Sequence, residues 1–120
     1  MGKRIVVVDD DQALRLIQEL LEDEAYAVDT AIDGLDALGQ LDHQRNVYDM
    51  ILLDLTMLRL NGLQFLHKVQ EQDPALLHSI IAISVDEEAL RQATGRGICG
   101  ALKKPFDMEV LLALVVRARC

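Results

Sequence analysis

The sequence has no tryptophan, and aromatic residues make up only 3% of its 120 residues. The core of any folded domain must therefore be aliphatic, and a chain that is 51% hydrophobic has enough Val, Ile, Leu and Ala to build one. A chain of this length can bury such a core without a metal ion or disulfide bonds to hold it together. We expect one domain over residues 1–120.

Cysteine and long apolar runs are also scarce. The two cysteines, Cys99 and Cys120, are too few for a disulfide framework, so we expect free thiols in a reducing compartment. No apolar run approaches the roughly 20 residues that span a bilayer, and the residues before Asp9 leave no room for a signal peptide. These absences predict a cytoplasmic protein that does not insert into a membrane.

Positive charge is in the minority, with 12 Lys and Arg residues against 20 Asp and Glu residues and a formal net charge of −8. The basic residues do not cluster along the sequence, so the chain is poorly suited to the phosphate backbone of nucleic acids. Converging carboxylates can instead hold a divalent cation. The composition predicts no direct nucleic-acid binding and is compatible with a metal site.

Five short runs of branched apolar residues alternate with segments of helical period. The predicted strands cover residues 4–8, 27–31, 51–54, 79–84 and 99–102. The predicted helices cover residues 12–24, 34–41, 63–72, 87–94 and 108–117, with Leu35, Leu38 and Leu41 on the core face of the second. Asp11 and Asp33 are the expected N-caps of the first two helices. This alternation predicts an α/β fold, a single doubly wound (βα)5 domain whose parallel sheet is covered on both faces.

The polar residues at the strand ends indicate where a ligand would bind. In open parallel sheets, ligands bind beyond the carboxyl ends of the strands. These positions hold Asp9 and Asp10 after the first strand, Asp54 after the third, Ser84 after the fourth and Lys104 after the fifth. Three carboxylates, a hydroxyl and an ammonium are therefore predicted to meet at one edge of the sheet.

A cluster of carboxylates needs a cation, because two carboxylates about 4 Å apart repel by about 4 kcal/mol at an effective dielectric of 20. Mg²⁺ suits a site of oxygen ligands and combines one or two carboxylates with water and phosphate oxygens. The expected direct ligands are Asp10 and Asp54, with Asp9 acting through water and the backbone carbonyl of Thr56 supplying another oxygen.

The same residues suit phosphoryl transfer. Once a cation neutralises the cluster, the Asp54 carboxylate can attack a phosphorus atom and form an acyl phosphate. The Lys104 ammonium and the Ser84 hydroxyl can stabilise charge on the phosphoryl oxygens. We therefore predict that Asp54 accepts a phosphoryl group.

Four motifs in this order resemble the receiver family of two-component response regulators. They are VVVDDD at residues 6–11, LDLTM at 53–57, IS at 83–84 and KPF at 104–106. The resemblance, which covers essentially the whole chain, implies a flavodoxin-like sheet of order 2-1-3-4-5 and a cis Lys104–Pro105 bond. It also implies a sensor histidine kinase or histidine phosphotransfer protein as phosphodonor. Output then runs through a downstream effector protein or an output domain absent from this sequence.

The sequence departs from the family pattern at three positions. Val85 follows Ser84 where the family favours a small residue, and we predict that this branched side chain slows phosphoryl exchange with small donors. Leu58 stands where the family usually has proline, and Ala101 stands where it usually has Tyr or Phe. In members of the family, that aromatic side chain turns inward when the domain is phosphorylated. Alanine has no side-chain rotamer to change, so Ala101 cannot act as this switch. We hypothesise that output runs through the backbone of the loop after Ser84, or that phosphorylation creates a docking surface.

Two other functions stay open. A degenerate receiver, acting as a protein-interaction module without phosphorylation, is favoured by Leu58 and Ala101 and opposed by the intact strand-end residues. A Mg²⁺-dependent phosphatase of the haloacid-dehalogenase type would also use a strand-end aspartate as nucleophile. Such enzymes typically need a second acid two residues after the nucleophile, and Thr56 occupies that place.

The last predicted helix is apolar all round, because residues 110–116 read VLLALVV. One buried face does not require this many apolar residues. Since exposed apolar patches mark interaction sites, we predict partner contact through this helix, including a homodimer.

Overall fold

The computed structural model describes residues 4–9, 13–43, 48–55 and 61–117. Its strands are β1 (Arg4–Val8), β2 (Ala27–Ala31), β3 (Met50–Asp54), β4 (Ile80–Ser84) and β5 (Gly100–Lys103). Its α-helices are α1 (Ala13–Asp23), α2 (Gly34–His43), α3 (Gly62–Gln72), α4 (Glu87–Thr94) and α5 (Met108–Arg117), and a short 3-10 helix covers Pro74–Ser79.

The five strands form one parallel sheet in the order β2-β1-β3-β4-β5. This confirms the predicted order 2-1-3-4-5. In the register, Val8 lies beside both Ala31 and Leu53, and Asp54 lies beside Ile83. The strand order reverses between β1 and β3, which is the position where open parallel sheets bind ligands beyond the carboxyl ends of their strands.

The core consists of two apolar clusters, one on each face of the sheet. Val6 and Val8 of β1 belong to the first cluster and Val7 belongs to the second, because successive strand residues point to opposite faces. Helices α2, α3 and α4 cover the first cluster, while α1 and α5 cover the second. Every residue of β3 and β4 is buried, as expected for central strands covered on both faces.

Most element boundaries follow the sequence pattern, and the exceptions have local causes. The bounds of α4 and α5 agree with the prediction. Strand β4 begins at Ile80, one residue late, because the unforeseen 3-10 helix extends to Ser79. Leu35 was expected in the core but is 50% exposed. The buried stripe of α2 instead runs through Ala37 and Leu41, and Leu35 lies about 200° around the helix from Ala37.

The caps of the helices agree with the prediction where they can be compared. Asp33 is buried, and its Oδ1 accepts a hydrogen bond from the backbone N–H of Asp36 at 2.9 Å. This confirms Asp33 as the N-cap of α2. Asp11, the predicted cap of α1, lies outside the described residues.

Cys99 is disulfide-bonded, so the expectation of a free thiol at this position is wrong. Disulfide formation depends on the approach of two residues in space, which the count and spacing of cysteines did not reveal. Cys120 lies outside the described residues.

Helix α5 is apolar beyond its buried face, as the sequence predicted. Leu111 and Val115 are fully buried, whereas Val110 and Val116 are 49% and 57% exposed. The longest described helices, α1 and α3, have 11 residues, and within the described part of the chain no helix is long and apolar enough to cross a membrane.

Candidate functional site

The fold brings four of the predicted site residues to the carboxyl edge of the sheet. Asp9 follows β1, Asp54 ends β3, Ser84 ends β4 and Lys104 follows β5. Asp9, Asp54 and Ser84 are 3%, 6% and 1% exposed. Two carboxylates and a hydroxyl are therefore withdrawn from bulk water at this edge.

The Lys104 ammonium lies between the two aspartates. Its Nζ is 3.3 Å from Oδ2 of Asp54 and 3.7 Å from Oδ2 of Asp9. The backbone N–H of Lys104 donates to the carbonyl of Ser84 at 2.9 Å, and Lys104–Pro105 is the cis peptide bond that the resemblance implied. The sheet thus directs this ammonium towards both carboxylates.

The hydroxyl of Ser84 is connected to the start of α4. Its Oγ accepts a hydrogen bond from the backbone N–H of Asp86 at 3.0 Å. Oδ1 of Asp86 in turn caps α4 by accepting from the N–H groups of Glu88 and Ala89. A displacement of the Ser84 hydroxyl would therefore break its hydrogen bond to Asp86 and alter the cap at the first turn of α4.

A second contact joins the start of α4 to the end of β5. Nζ of Lys103 lies 2.5 Å from Oε1 of Glu87, and this hydrogen bond, with the positive charge of Lys103, lowers the pKa of Glu87. Both side chains are more than half exposed, so this pair contributes little to stability. Together with Ser84 and Asp86, it gives α4 two contacts with the site edge.

Gly62 holds the chain just beyond Asp54, a role that the sequence did not reveal. Its N–H donates to the carbonyl of Leu55 at 3.0 Å, and the N–H of Leu55 donates to the carbonyl of Ile83. A Cβ at position 62 would lie 2.4 Å from Cα of Leu55 and 3.0 Å from the carbonyl oxygen of Asp54. Only glycine allows this approach. The sequence signal, Asn61-Gly62, indicated a turn and no more.

The residues present fit a magnesium ion in the kind of ligand they offer. Asp9 and Asp54 are buried carboxylates that lie against the same ammonium, and Mg²⁺ prefers oxygen ligands of this kind. Asp10 and Thr56, the other two predicted ligands, lie outside the described residues. Within the described part of the chain, no group of three or more His, Cys, Asp or Glu residues is placed to hold a metal.

Ala101 lies in β5 beside Ala82 of β4, where it packs partly buried against the first core cluster. Its side chain ends at Cβ, so position 101 offers no aromatic ring to report a change at Ser84. Leu58, another departure from the family pattern, lies outside the described residues.

Comparison with known proteins identifies the family. The model for the response regulator receiver domain matches residues 5–116. The chain is 37% identical over 116 residues to the response regulator ArlR of Staphylococcus aureus, a match that covers 93% of this chain and 50% of ArlR. The chain thus spans about half the length of the curated relatives that it matches.

Solved structures agree with this match. The receiver domain of NtrX from Brucella abortus superposes with a TM-score of 0.83 at 30% identity, covering 95% of this chain and 96% of that one. The signal receiver domain of a response regulator from Bermanella marisrubri gives a TM-score of 0.86 at 33% identity, covering 98% of each chain. The chemotaxis protein CheY4 of Vibrio cholerae gives 0.84 at 28% identity, covering 98% and 99%. With its parallel sheet of order 2-1-3-4-5 and its matching sequence, the chain belongs to the response regulator receiver family.

Proposed function

We propose that residues 1–120 form one receiver domain, which accepts a phosphoryl group on Asp54. The observation that carries this proposal is the buried contact between the Lys104 ammonium and the Asp54 carboxylate, with Asp9 next to both. An aspartate at a strand end can act as a nucleophile, and a neighbouring ammonium can stabilise the charge that phosphoryl transfer develops.

The chemistry assigns a role to each side chain. An oxygen of the Asp54 carboxylate attacks the phosphorus of a phosphohistidine, forming a P–O bond while the P–N bond breaks and the imidazole keeps the electron pair. Lys104 Nζ and Ser84 Oγ donate hydrogen bonds to the phosphoryl oxygens. The burial of Asp54 and Ser84 excludes water, which strengthens these electrostatic contacts.

Receiver domains use Mg²⁺ in the phospho-acceptor site. We assign the direct ligands here to the carboxylates of Asp10 and Asp54 and to the backbone carbonyl of Thr56, with Asp9 acting through water. When bound, Mg²⁺ would offset the negative charge of the carboxylates and of the phosphoryl oxygens. The buried oxygen ligands at Asp9 and Asp54 support this assignment.

The receiver family acts in signalling and is not a classic enzyme family, and membership implies a histidine kinase partner and an output domain. For this chain we propose a sensor histidine kinase or a histidine phosphotransfer protein as donor, followed by slow self-dephosphorylation. Output would run through an effector protein or through an output domain joined to this chain. The half of ArlR that this chain does not match supports the second route. A cytoplasmic location and the absence of direct nucleic-acid binding stay predictions.

A homodimer through α5 is also part of the proposal. Val110 and Val116 expose about half of their side chains on a helix whose opposite face is buried. Light scattering on the unphosphorylated and phosphorylated protein tests this contact. A monomer at high concentration in both states would argue against it.

The main test is direct phosphorylation. The protein is incubated with Mg²⁺ and acetyl phosphate, and intact-mass spectrometry should show one added phosphoryl group. EDTA and Asp54→Asn should each abolish it, whereas Asp73→Asn, which removes a carboxylate from the end of α3, should not. An unmodified wild-type protein, or a phosphoryl group that persists in Asp54→Asn, would contradict the proposal.

The same experiment separates the alternatives. A degenerate receiver, which Ala101 favours, gives no phosphoryl adduct although the protein is folded. A phosphatase releases inorganic phosphate over many turnovers without a lasting adduct. One stable adduct per chain supports the receiver.

A further inference from the structure

A groove lies between α3 and the turn that follows α4, and it contains none of the proposed site residues. It has a volume of about 380 Å³ and is lined by Leu63, Gln64, His67, Lys68 and Arg96. The groove combines an apolar floor with cationic walls.

The floor and one wall come from adjacent rows of α3. Leu63 and His67 are one turn apart, as are Gln64 and Lys68, so each pair shares a row on the helix surface. Leu63 packs partly buried against the first core cluster, while Gln64, His67 and Lys68 are exposed. An apolar side chain entering the groove would meet Leu63 and pass between polar side chains.

The cationic side chains of this groove stand out in an acidic protein. Within the described residues no carboxylate lies at ion-pair distance from Lys68 or Arg96. The paired cations are Arg4 with Asp29, Arg91 with Glu88, Lys103 with Glu87, and Lys104 with Asp9 and Asp54. One carboxylate, that of Glu71, lies next to the groove, 3.1 Å from Nε2 of the lining residue His67. Lys68 and Arg96 supply two positive charges against this one carboxylate, so the groove is locally positive although the chain has a net charge of −8.

Arg96 is held in place before any ligand arrives. Its Nη1 donates to Oε1 of Gln70 at 2.9 Å. Its backbone N–H donates to the carbonyl of Ala93, and the N–H of Gly97, which has a φ of 85°, donates to the carbonyl of Thr94. The backbone contacts position the turn that carries Arg96, and the exposed hydrogen bond to Gln70 orients its guanidinium.

We propose that this groove docks an acidic peptide segment of a partner protein. One apolar side chain of the segment would pack on Leu63, and flanking carboxylates would pair with Lys68 and Arg96. A peptide fits better than a free small anion, because three of the five lining side chains are exposed and small-molecule sites usually enclose most of their ligand. Two cations on an acidic chain do not suit a nucleic acid. None of the proposed phosphorylation-site residues lines the groove, so the proposal does not rest on phosphorylation at Asp54.

The test uses the ¹⁵N-labelled full chain and the capped peptide Glu-Asp-Leu-Leu-Asp-Glu, followed by NMR. Shifts should cluster at residues 63–70 and 94–97, and raising the salt concentration from about 0.05 to about 0.5 M should weaken binding. Lys68→Gln and Arg96→Gln should each raise Kd about threefold, the effect expected of one exposed charge pair. Arg117→Gln removes a cation outside the groove and is the matched control.

Three outcomes would overturn the proposal. The first is a set of shifts outside the groove, and the second is an equal loss of affinity in Arg117→Gln and Arg96→Gln, which indicates non-specific attraction. The third is equal binding of acetate or of the neutral peptide Gln-Asn-Leu-Leu-Asn-Gln, since acetate lacks the apolar anchor and the neutral peptide lacks the carboxylates. Thermal unfolding of each variant verifies that it is folded.

Discussion

The ammonium of Lys104 lies 3.3 Å from Oδ2 of Asp54, at an edge of the sheet where the Asp54 residue is 6% exposed. A second carboxylate, that of Asp9, is 3.7 Å from the same ammonium. One ammonium therefore lies against two buried carboxylates. This arrangement places a positive charge where a phosphoryl group on Asp54 would carry its negative oxygens.

Replacing Lys104 by methionine should affect both stability and phosphorylation. Loss of the ammonium should destabilise the metal-free protein by about 1–3 kcal/mol, because the two buried carboxylates lose its charge. Mg²⁺ should recover part of this loss in urea unfolding. The rate of labelling by acetyl phosphate should fall about 100-fold, the usual cost of losing one charge-stabilising donor. Lys103→Met, which removes an exposed ammonium one residue earlier, is the control and should change neither quantity greatly. Equal effects of the two variants would refute the role given to Lys104.

Replacing Gly62 by alanine should destabilise the protein by about 1–3 kcal/mol, because the added Cβ would lie 2.4 Å from the backbone of Leu55. The strain falls next to Asp54, so phosphorylation should also slow. Gly39→Ala is the matched control, since a Cβ at position 39 in α2 meets nothing within 4 Å. Alanine there should stabilise the helix by about 0.5–1 kcal/mol. Urea unfolding measures the free energy of unfolding of both variants. Similar values for the two would show that the close approach of Gly62 to Leu55 does not affect stability.

Tyr48 makes stability depend on alkaline pH. Its hydroxyl, on a residue that is 8% exposed, donates to Oδ2 of Asp29 at 2.6 Å, and Arg4 pairs with the same oxygen. Burial first, and then the hydrogen bond and charge of Asp29, raise the pKa of Tyr48 to about 12, while Arg4 opposes the shift.

A raised pKa means that the folded state favours the protonated hydroxyl. The protonated Tyr48 hydroxyl should contribute on the order of 2 kcal/mol to the free energy of unfolding. This contribution should be fully present below about pH 10 and lost as pH rises to about 12. The free energy of unfolding of the wild-type protein, measured against Tyr48→Phe across this range, should converge towards that of the variant. Asp29→Asn removes the charge of Asp29, one cause of the raised pKa of Tyr48, so the pH range over which stability is lost should become narrower. A constant difference between wild type and Tyr48→Phe from about pH 9 to about pH 12 would contradict the linkage.

Output in the absence of an aromatic switch should appear at the start of α4. Ser84 Oγ accepts from Asp86 N–H, so a hydroxyl that turns to a phosphoryl group changes the cap of this helix. Adding BeF₃⁻ and Mg²⁺ to the labelled protein should shift backbone NMR signals of residues 85–90. Ser84→Ala should lose most of this response although α5 remains folded. If no NMR signal between Val85 and Ala101 shifted, the hypothesis that output runs through the loop after Ser84 would be wrong.

Local patterns were enough to predict the strands, the helices and the edge that carries the site. Branched apolar runs specify buried parallel strands, and the carboxyl ends of parallel strands necessarily meet at one edge. For this reason the order of strands and polar residues along the chain was sufficient to place Asp9, Asp54, Ser84 and Lys104 together. Asp10 and Thr56 remain predictions of the same reasoning.

The sequence by itself thus predicted the alternation of strands and helices and the types of side chain at the site, because hydrophobic periodicity acts over short stretches of chain. The sheet order 2-1-3-4-5 was implied by the resemblance to the receiver family and not by this periodicity. Only the tertiary structure decided which distant groups touch. The approach of Gly62 to Leu55, the bond at Cys99, the exposure of Leu35 and the meeting of Arg96 with α3 all depend on how elements pack. Packing distances of a few ångströms arise from the whole set of contacts, and no local pattern encodes them.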